Sequence, residues 1–172
     1  ITMIVAANVP SSVTLAVDKN PVCSGDSAKF TATPTGGGAT PNYQFWVNGI
    51  MVQSGLSNTY TTNTLVNGNP VYVVMTSSLA CATGSPATSS TINMSVLALP
   101  ASPTNTSVAT QCGTALVFSA TAGAGTIKWY ATNVSTIVLG SGSPFNYTGT
   151  LGSTTTLYVS LTNAAGCESP RV

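Results

Sequence analysis

The residues able to do chemistry in this chain are few and scattered. Its 172 residues include no His, four Lys and Arg, and three Asp and Glu. General acid-base catalysis needs a positioned pair of such groups. The acids are Asp18 and Asp26, both in predicted turns of the first half, and Glu168 near the far end. The sequence therefore predicts a protein that is not an enzyme, with no catalytic, cofactor-binding or metal-binding residues.

The four cysteines occupy equivalent positions in the two halves of the chain. They are Cys23 and Cys81 in the first half and Cys112 and Cys167 in the second. This placement suggests the disulfides Cys23 with Cys81 and Cys112 with Cys167, each stabilising its half by about 4 kcal/mol. Free or buried thiols are the alternative. In a Greek-key sandwich the two positions of each pair begin at opposite ends, whereas a disulfide needs Cα atoms within roughly 7 Å.

The two tryptophans, Trp46 and Trp129, are predicted to fill the cores of their halves. Each lies in a strand beside another aromatic residue, where a sandwich places its central aromatic side chain. The other reading is an exposed aromatic platform of the kind that carbohydrate-binding modules present. We do not favour that reading, because Tyr60, Phe145 and Tyr147 form no legible flat stripe.

Short alternating apolar runs separated by turn residues dominate the chain. This pattern is typical of strands, and no window has a helical period. Asn48-Gly49 is the strongest signal for a two-residue hairpin. The predicted fold is an all-β Greek-key sandwich, present twice. The predicted strands are residues 13–17, 28–33, 43–47, 50–52, 59–65, 71–77 and 91–97, then 106–110, 115–121, 126–131, 136–139, 145–151 and 155–162.

The repeat also predicts the domain boundaries. Residues 1–10 resemble residues 92–100 in the order of their Ile, Met, Val, Ala and Pro. We therefore expect residues 1–8 to be the terminal strand of a preceding repeat, 9–99 to be one sandwich, and 100–172 to be a second that lacks most of its last strand. Neighbouring repeats, or copies of the chain, are expected to supply that strand by strand addition.

Charge and hydropathy exclude several classes of partner. The net charge is +1, and no charged residue occurs between Phe30 and Ile127. This leaves no basic footprint for nucleic acid. The apolar runs are far shorter than the 18 or more residues needed to cross a bilayer, so no membrane insertion is expected.

Several segments resemble a known family. Residues 23–33 and 43–49 resemble the PKD-like or immunoglobulin-like repeats of very large cell-surface proteins of gliding Bacteroidetes. Residues 128–130 and 166–171 resemble the immunoglobulin-like module that alternates with them. The resemblance implies two tandem immunoglobulin-like (PKD-like) sandwiches, secretion by the type IX pathway, and an extracellular location on the bacterial cell surface.

Two functions remain open at this point. The first is a structural repeat of a giant adhesin or surface fibre, acting as a stalk or spacer in adhesion or gliding motility. The alternative is a carbohydrate-binding module that takes surface polysaccharide, with a site formed by the loops at residues 35–42 and 141–144. Saturable glycan binding that depends on Trp or Tyr would favour the second.

Overall fold

The computed structural model of the chain describes residues 7–108, 116–148 and 156–172. Two compact units make up the chain: unit 1 over Ile1–Leu97 and unit 2 over Ala98–Val172. All secondary-structure elements in the described ranges are β-strands, which confirms the predicted all-β fold. Most of the terminal strand expected at residues 1–8 lies outside the described residues.

Unit 1 is a sandwich of two sheets. One sheet has the order β2-β4-β7, and the other has the order β10-β8-β5-β6 with β11 also beside β8. Two short parallel pairs, β1 with β9 and β12 with β3, close the ends. The strands of unit 1 are β1 (Val9–Pro10), β2 (Ser12–Val17), β3 (Val22–Cys23), β4 (Ala28–Thr35), β5 (Asn42–Val47), β6 (Ile50–Gly55), β7 (Thr59–Thr62), β8 (Pro70–Thr76), β9 (Ala82–Thr83), β10 (Ala87–Thr88), β11 (Ile92–Asn93) and β12 (Val96–Leu97).

The core of unit 1 follows from the period of two that the sequence predicts. In β4, Phe30 is buried while its neighbour Lys29 is exposed, because successive side chains of a strand point to opposite faces. The same alternation in β5 and β8 supplies the facing layer. The buried residues of this core are Val13, Val22, Ala28, Phe30, Ala32, Tyr43, Phe45, Leu65, Val71, Val73, Met75, Ala87 and Met94.

The hairpin predicted at Asn48 and Gly49 joins β5 to β6. The φ angles are 50° at Asn48 and 76° at Gly49, so both central residues are left-handed, as a type I′ turn requires. This turn leaves β6 as an edge strand with β5 as its partner.

The strand predicted at residues 91–97 is divided in two. The first part, β11, pairs antiparallel with β8, whereas the second part, β12, pairs parallel with β3. Between them Met94 enters the core, where 2 % of its surface is exposed. Its backbone N–H donates to Asn69 O at 3.0 Å, and its carbonyl accepts from Gly68 N at 2.8 Å. Burial of this side chain and its bonds to the turn explain the break.

Unit 2 has a similar plan with fewer described strands. Its sheets have the orders β13-β14-β17 and β16-β15-β18. The buried core comprises Phe118, Ala120, Trp129 and Val159. The strands are β13 (Thr104–Val108), β14 (Leu116–Thr121), β15 (Thr126–Tyr130), β16 (Gly140–Ser141), β17 (Phe145–Tyr147) and β18 (Tyr158–Thr162).

The strand predicted at residues 136–139 is wrong. The segment is a loop, and Ile137 is 72 % exposed. Ser135 Oγ accepts a hydrogen bond from Ile137 N at 3.1 Å, and the carbonyl oxygen of Ser135 accepts one from Arg171 Nη1 at 2.7 Å. Because these local bonds hold the segment in a loop, backbone pairing with β15 begins only at its last residue, where Leu139 N donates to Trp129 O at 2.8 Å.

The last residues of the chain lie beside β18. Ser169 N donates to Leu161 O at 2.9 Å, and Val159 and Val172 exchange two backbone hydrogen bonds of 2.9 and 3.1 Å. The stub predicted for a seventh strand is therefore paired along the outer edge of β18, from Val159 onward.

Candidate functional site

Trp46 lies on the outer face of unit 1, which corrects its predicted place in the core. Its strand neighbours Tyr43 and Phe45 are buried, whereas Trp46 and Gln44 are partly exposed. Phe45 is the aromatic residue that fills the core, with Tyr60 at 5.8 Å between ring centroids. The signal that could have revealed this is Gln44, a polar residue on the same side of the strand as Trp46.

Trp46 forms an aromatic pair with Tyr72 on this outer face. The two residues are direct cross-strand partners on β5 and β8. Their rings are parallel, with an interplanar angle of 3° and centroids 6.0 Å apart. Met51, which is 46 % exposed, is the partner of Trp46 on the other side, on β6. We call the row formed by Tyr72, Trp46 and Met51 the aromatic row.

The indole of Trp46 presents carbon to solvent. Its Nε1 atom is buried and has no hydrogen-bond partner among the described residues. The ring is therefore held by packing and stacking, and what it exposes is apolar. Stacked aromatic pairs of this kind add about 0.5–1.5 kcal/mol beyond their buried area.

A second row of side chains lies beside the aromatic row, one position further along each strand face. It runs Ser54, Gln44, Val74 and Thr88 across β6, β5, β8 and β10. Two residues along a strand place the rows about 7 Å apart. Ser54 and Thr88 are exposed and Gln44 is partly exposed, so polar side chains face solvent along this row. We call this set the polar row.

Trp129 of unit 2 has the opposite environment, and its predicted place in the core is confirmed. It is 2 % exposed and stacks on Phe145 at 5.8 Å between centroids. Its Nε1 donates to Gly142 O at 2.8 Å, which satisfies the one polar atom of the side chain. Trp129 is therefore a structural core residue, too deeply buried to contact a ligand.

The neighbour of Trp129, Tyr130, points to the outer face but is covered. The guanidinium carbon of Arg171 lies 3.5 Å from the centroid of the Tyr130 ring, a cation–π contact. Arg171 Nη1 also donates to the carbonyl oxygens of Thr132, Asn133 and Ser135 at 2.7–3.3 Å. Sequence reasoning missed this cluster, which ties the exposed loop after β15 to the end of the chain.

Glu168 completes the cluster. Its Oε1 accepts from Ser160 Oγ at 2.8 Å and from Arg171 Nε at 3.3 Å. Burial alone raises the pKa of Glu168, but the hydrogen bonds from Ser160, Tyr130 and Arg171 outweigh it and hold that pKa below 4.5. Since the carboxylate is stabilised as an anion and committed to these partners, it is suited to a structural role rather than to proton transfer.

The other two acidic residues, Asp18 and Asp26, lie in turns of unit 1. Asp18 Oδ1 accepts from Lys29 N at 2.8 Å, which fastens the turn after β2 to β4. Asp26 is exposed in the turn before β4, where its backbone N–H donates to Cys23 O. Within the described ranges, no group of three His, Cys, Asp or Glu residues is placed to hold a metal ion.

The predicted disulfide between Cys23 and Cys81 is wrong. Cys81 is a free, partly buried thiol, whereas Cys23 and Cys167 are each disulfide-bonded. Cys23 precedes β4, while Cys81 O accepts from Val9 N at the far end of the sandwich. The eight residues of β4 separate these ends by about 26 Å, well beyond disulfide reach. Cys112, the predicted partner of Cys167, lies outside the described residues.

The loop at residues 35–42 is fastened down rather than open. The carbonyl oxygen of Gly36 accepts from Ser11 Oγ at 2.9 Å and from Ser77 Oγ at 2.7 Å. Gly37 O in turn accepts from Ser78 N at 2.9 Å. Because its backbone groups are already bonded to unit 1, this loop offers a ligand few free donors or acceptors.

The loop at residues 141–144 borders a shallow groove of unit 2. The groove has a volume of about 530 Å³ and is lined by small side chains and backbone of residues 120–122, 125–127 and 141–143. Ser143 Oγ already accepts from Ala120 N at 2.9 Å. A second groove of about 600 Å³, beside residues 124–126 and 162–165, has no charged or aromatic lining. Neither groove brings together groups that would orient a ligand.

Comparisons with known proteins bear on both units. Residues 100–172 match the family model described as "Ig-like domain CHU_C associated". Residues 100–172 therefore match an immunoglobulin-like domain, in keeping with the all-β immunoglobulin-like fold of the chain. Among solved structures, the central fibronectin-III array of RIM-binding protein aligns with 98 % of the chain at 14 % identity and a TM-score of 0.33, and the alignment spans 62 % of that array. No curated protein matches the chain.

Two further observations concern location. None of the described residues forms a helix that is long and apolar enough to cross a membrane. Disulfide-bonded cysteines, present here at Cys23 and Cys167, are typical of proteins in oxidising, extracellular environments.

The family match also bears on catalysis, because immunoglobulin-like domains are generally non-catalytic.

Proposed function

We propose that the chain is a structural repeat segment of a giant extracellular adhesin or surface fibre. The observation that carries this proposal is the succession of two compact sandwiches, with the boundary between Leu97 and Ala98. Two acidic side chains support it, because Asp18 accepts a hydrogen bond from the backbone of Lys29 and Glu168 accepts one from Ser160. Both carboxylates are thus used to hold the fold together. The segment acts as a stalk or spacer at the bacterial cell surface, in adhesion or gliding motility, and exit by the type IX pathway belongs to the same proposal.

Its partners in this role are neighbouring repeats of the same polypeptide, or copies of itself. Support comes from the edge of β18, where Ser169 and Val172 already form backbone hydrogen bonds with Leu161 and Val159. Residues joined after Val172 would continue this pairing along the same edge.

An antibody raised against the chain tests the location. We expect it to label intact, unpermeabilised cells of the bacterium that produces the protein, and to lose that label when the gene is deleted. The deletion strain should also adhere or glide less. Labelling that requires permeabilised cells would contradict the proposal.

The spacer role has a separate test. Concatenated copies of the 172-residue chain should appear in negative-stain electron microscopy as particles whose end-to-end length grows in proportion to the number of copies. A single linked pair serves as the control for length. Compact particles whose longest dimension does not increase with copy number would rule out a stalk.

A further inference from the structure

We infer that the outer face of the β10-β8-β5-β6 sheet of unit 1 is a binding site for a neutral polysaccharide. The site consists of the aromatic row, Tyr72, Trp46 and Met51, and the polar row beside it. It lies elsewhere than the loops at residues 35–42 and 141–144, and it is independent of whether the chain serves as a stalk.

The aromatic row fits the apolar face of a sugar ring. Trp46 and Tyr72 present parallel rings on a sheet surface, and the only polar atom of the Trp46 side chain is buried. A pyranose ring shows a patch of C–H groups on its face, and such a patch stacks on exposed aromatic carbon. Tyr and Trp have the amphipathic character that suits a surface which must be both wet and apolar.

The polar row fits the hydroxyl rim of the same ring. Gln44 carries two amide donors and one carbonyl acceptor, and each hydroxyl both donates and accepts. Ser54 and Thr88 are exposed on this face and Gln44 is partly exposed. A row of mixed donors and acceptors about 7 Å from the stacking rings can therefore reach the hydroxyl groups of a sugar stacked on those rings.

The charge of the surface selects among ligands. No charged residue occurs between Phe30 and Ile127, a range that contains the whole face. An anionic polysaccharide or a nucleic acid would find no cation to neutralise it. A protein partner would be expected to bury a larger apolar patch with fewer free hydroxyl and amide groups. The chemistry therefore favours a neutral chain of pyranose units running across the strands.

Edge strand β6 leaves room for such a chain to extend. Its outer-face residue next to Trp46, Met51, is 46 % exposed. Since β5 is the neighbour of β6 in the sheet, a linear ligand can continue past this edge.

The test uses the whole chain immobilised for biolayer interferometry, with hydroxyethylcellulose, mixed-linkage β-glucan, galactomannan and amylopectin as neutral probes and alginate as the anionic probe. We expect saturable binding of at least one neutral probe and none of alginate. Trp46→Ala and Tyr72→Ala should each abolish binding, and Gln44→Ala should weaken it about fivefold. Leu56→Ala removes a side chain that is 66 % exposed and lies outside the strands of this sheet, and should bind like the parent chain.

Two controls separate binding from folding. Gln44→Ala should keep the parent melting temperature while losing affinity, and Tyr72→Ala, which also loses the stack on Trp46, should still be folded at the temperature of the binding assay, as circular dichroism can verify. The intrinsic fluorescence of the parent chain should change on ligand addition, and Trp46→Phe should remove that change while Trp129 remains. Absence of binding to all four neutral probes, equal binding of alginate, or binding that persists in both Trp46→Ala and Tyr72→Ala would overturn the inference.

Discussion

The two tryptophan-bearing strands, β5 and β15, lie at the same place in their units but turn opposite faces to the core. In β5 the buried aromatic residue is Phe45, and Trp46 points outward. In β15 the buried one is Trp129, and Tyr130 points outward. The structural counterpart of Trp129 is therefore Phe45 and not Trp46. A shift of one residue moves a side chain to the other face of a strand, so matching tryptophans by residue type misplaced one of them.

The outward residues also differ in what covers them. Tyr130 is 2 % exposed, with the Arg171 guanidinium over its ring. Trp46 and Tyr72 are partly exposed, and no charged side chain lies beside them on their face among the residues that the structure describes. One sheet face is thus closed by an ion-pair cluster and the other is left open. Equivalent faces of the two sandwiches thus differ in whether a charged side chain covers them, and the uncovered face is the one proposed above to bind a polysaccharide.

The largest effect should come from truncating the two tryptophans. Trp129→Ala removes a buried ring and its hydrogen bond to Gly142, and should lower the free energy of unfolding of unit 2 by about 3–5 kcal/mol. Trp46→Ala should cost unit 1 only about 1–2 kcal/mol, because the ring is partly exposed. Urea titration followed by circular dichroism measures both. Equal losses would mean that Trp46 is a core residue after all.

A smaller effect should follow from crowding the Trp129 stack. A Cβ atom at Gly140 would overlap the ring of Phe145, which stacks on Trp129. We expect Gly140→Ala to destabilise unit 2 by about 1–3 kcal/mol, measured by thermal unfolding. Gly123→Ala is the matched control, since nothing lies within 4 Å of its added Cβ. A neutral Gly140→Ala would show that the stack is loosely packed.

The cluster over Tyr130 predicts a pH dependence confined to unit 2. The pKa of Glu168 is lower in the folded state than its ordinary value of 4.5. Its contribution is therefore fully present above that value and is lost as pH falls through the folded pKa. The melting temperature of unit 2 should decline over this acid range. Glu168→Gln should flatten the decline; an unchanged slope in this variant would assign it to another group.

The smallest effect is expected at Cys81. Because this thiol is free, Cys81→Ser should change the free energy of unfolding of unit 1 by less than about 0.5 kcal/mol. Cys167→Ser breaks a disulfide and should lower the free energy of unfolding by about 2–5 kcal/mol. Alkylation without reduction, read by peptide mass spectrometry, should label Cys81 and spare Cys23 and Cys167. A loss at Cys81 as large as that at Cys167 would restore the paired reading.

Much of the fold could be predicted because it depends on local patterns. The alternation around Phe30 and the left-handed pair Asn48 and Gly49 are encoded by neighbours in sequence. The division at Met94 and the loop at residues 136–139 could not, because they depend on contacts far along the chain, with Asn69 and Arg171 respectively. The site was missed for a related reason. In residues 43–47 only Gln44 marks the outer face, and the partner of Trp46, Tyr72, is brought beside it by the sheet.

The two parallel strand pairs at the ends of unit 1 have a mechanical consequence. β1, the first strand of unit 1, runs parallel to β9, and β12, the last strand of unit 1, runs parallel to β3. Tension applied along the polypeptide pulls each terminal strand along its own axis. The hydrogen bonds of each pair, such as Ser11 N to Thr83 O and Ser24 N to Leu97 O, are then loaded together in shear instead of opening one at a time. Unit 1 should accordingly resist extension as a clamp at both ends, a property of use to any segment that transmits force.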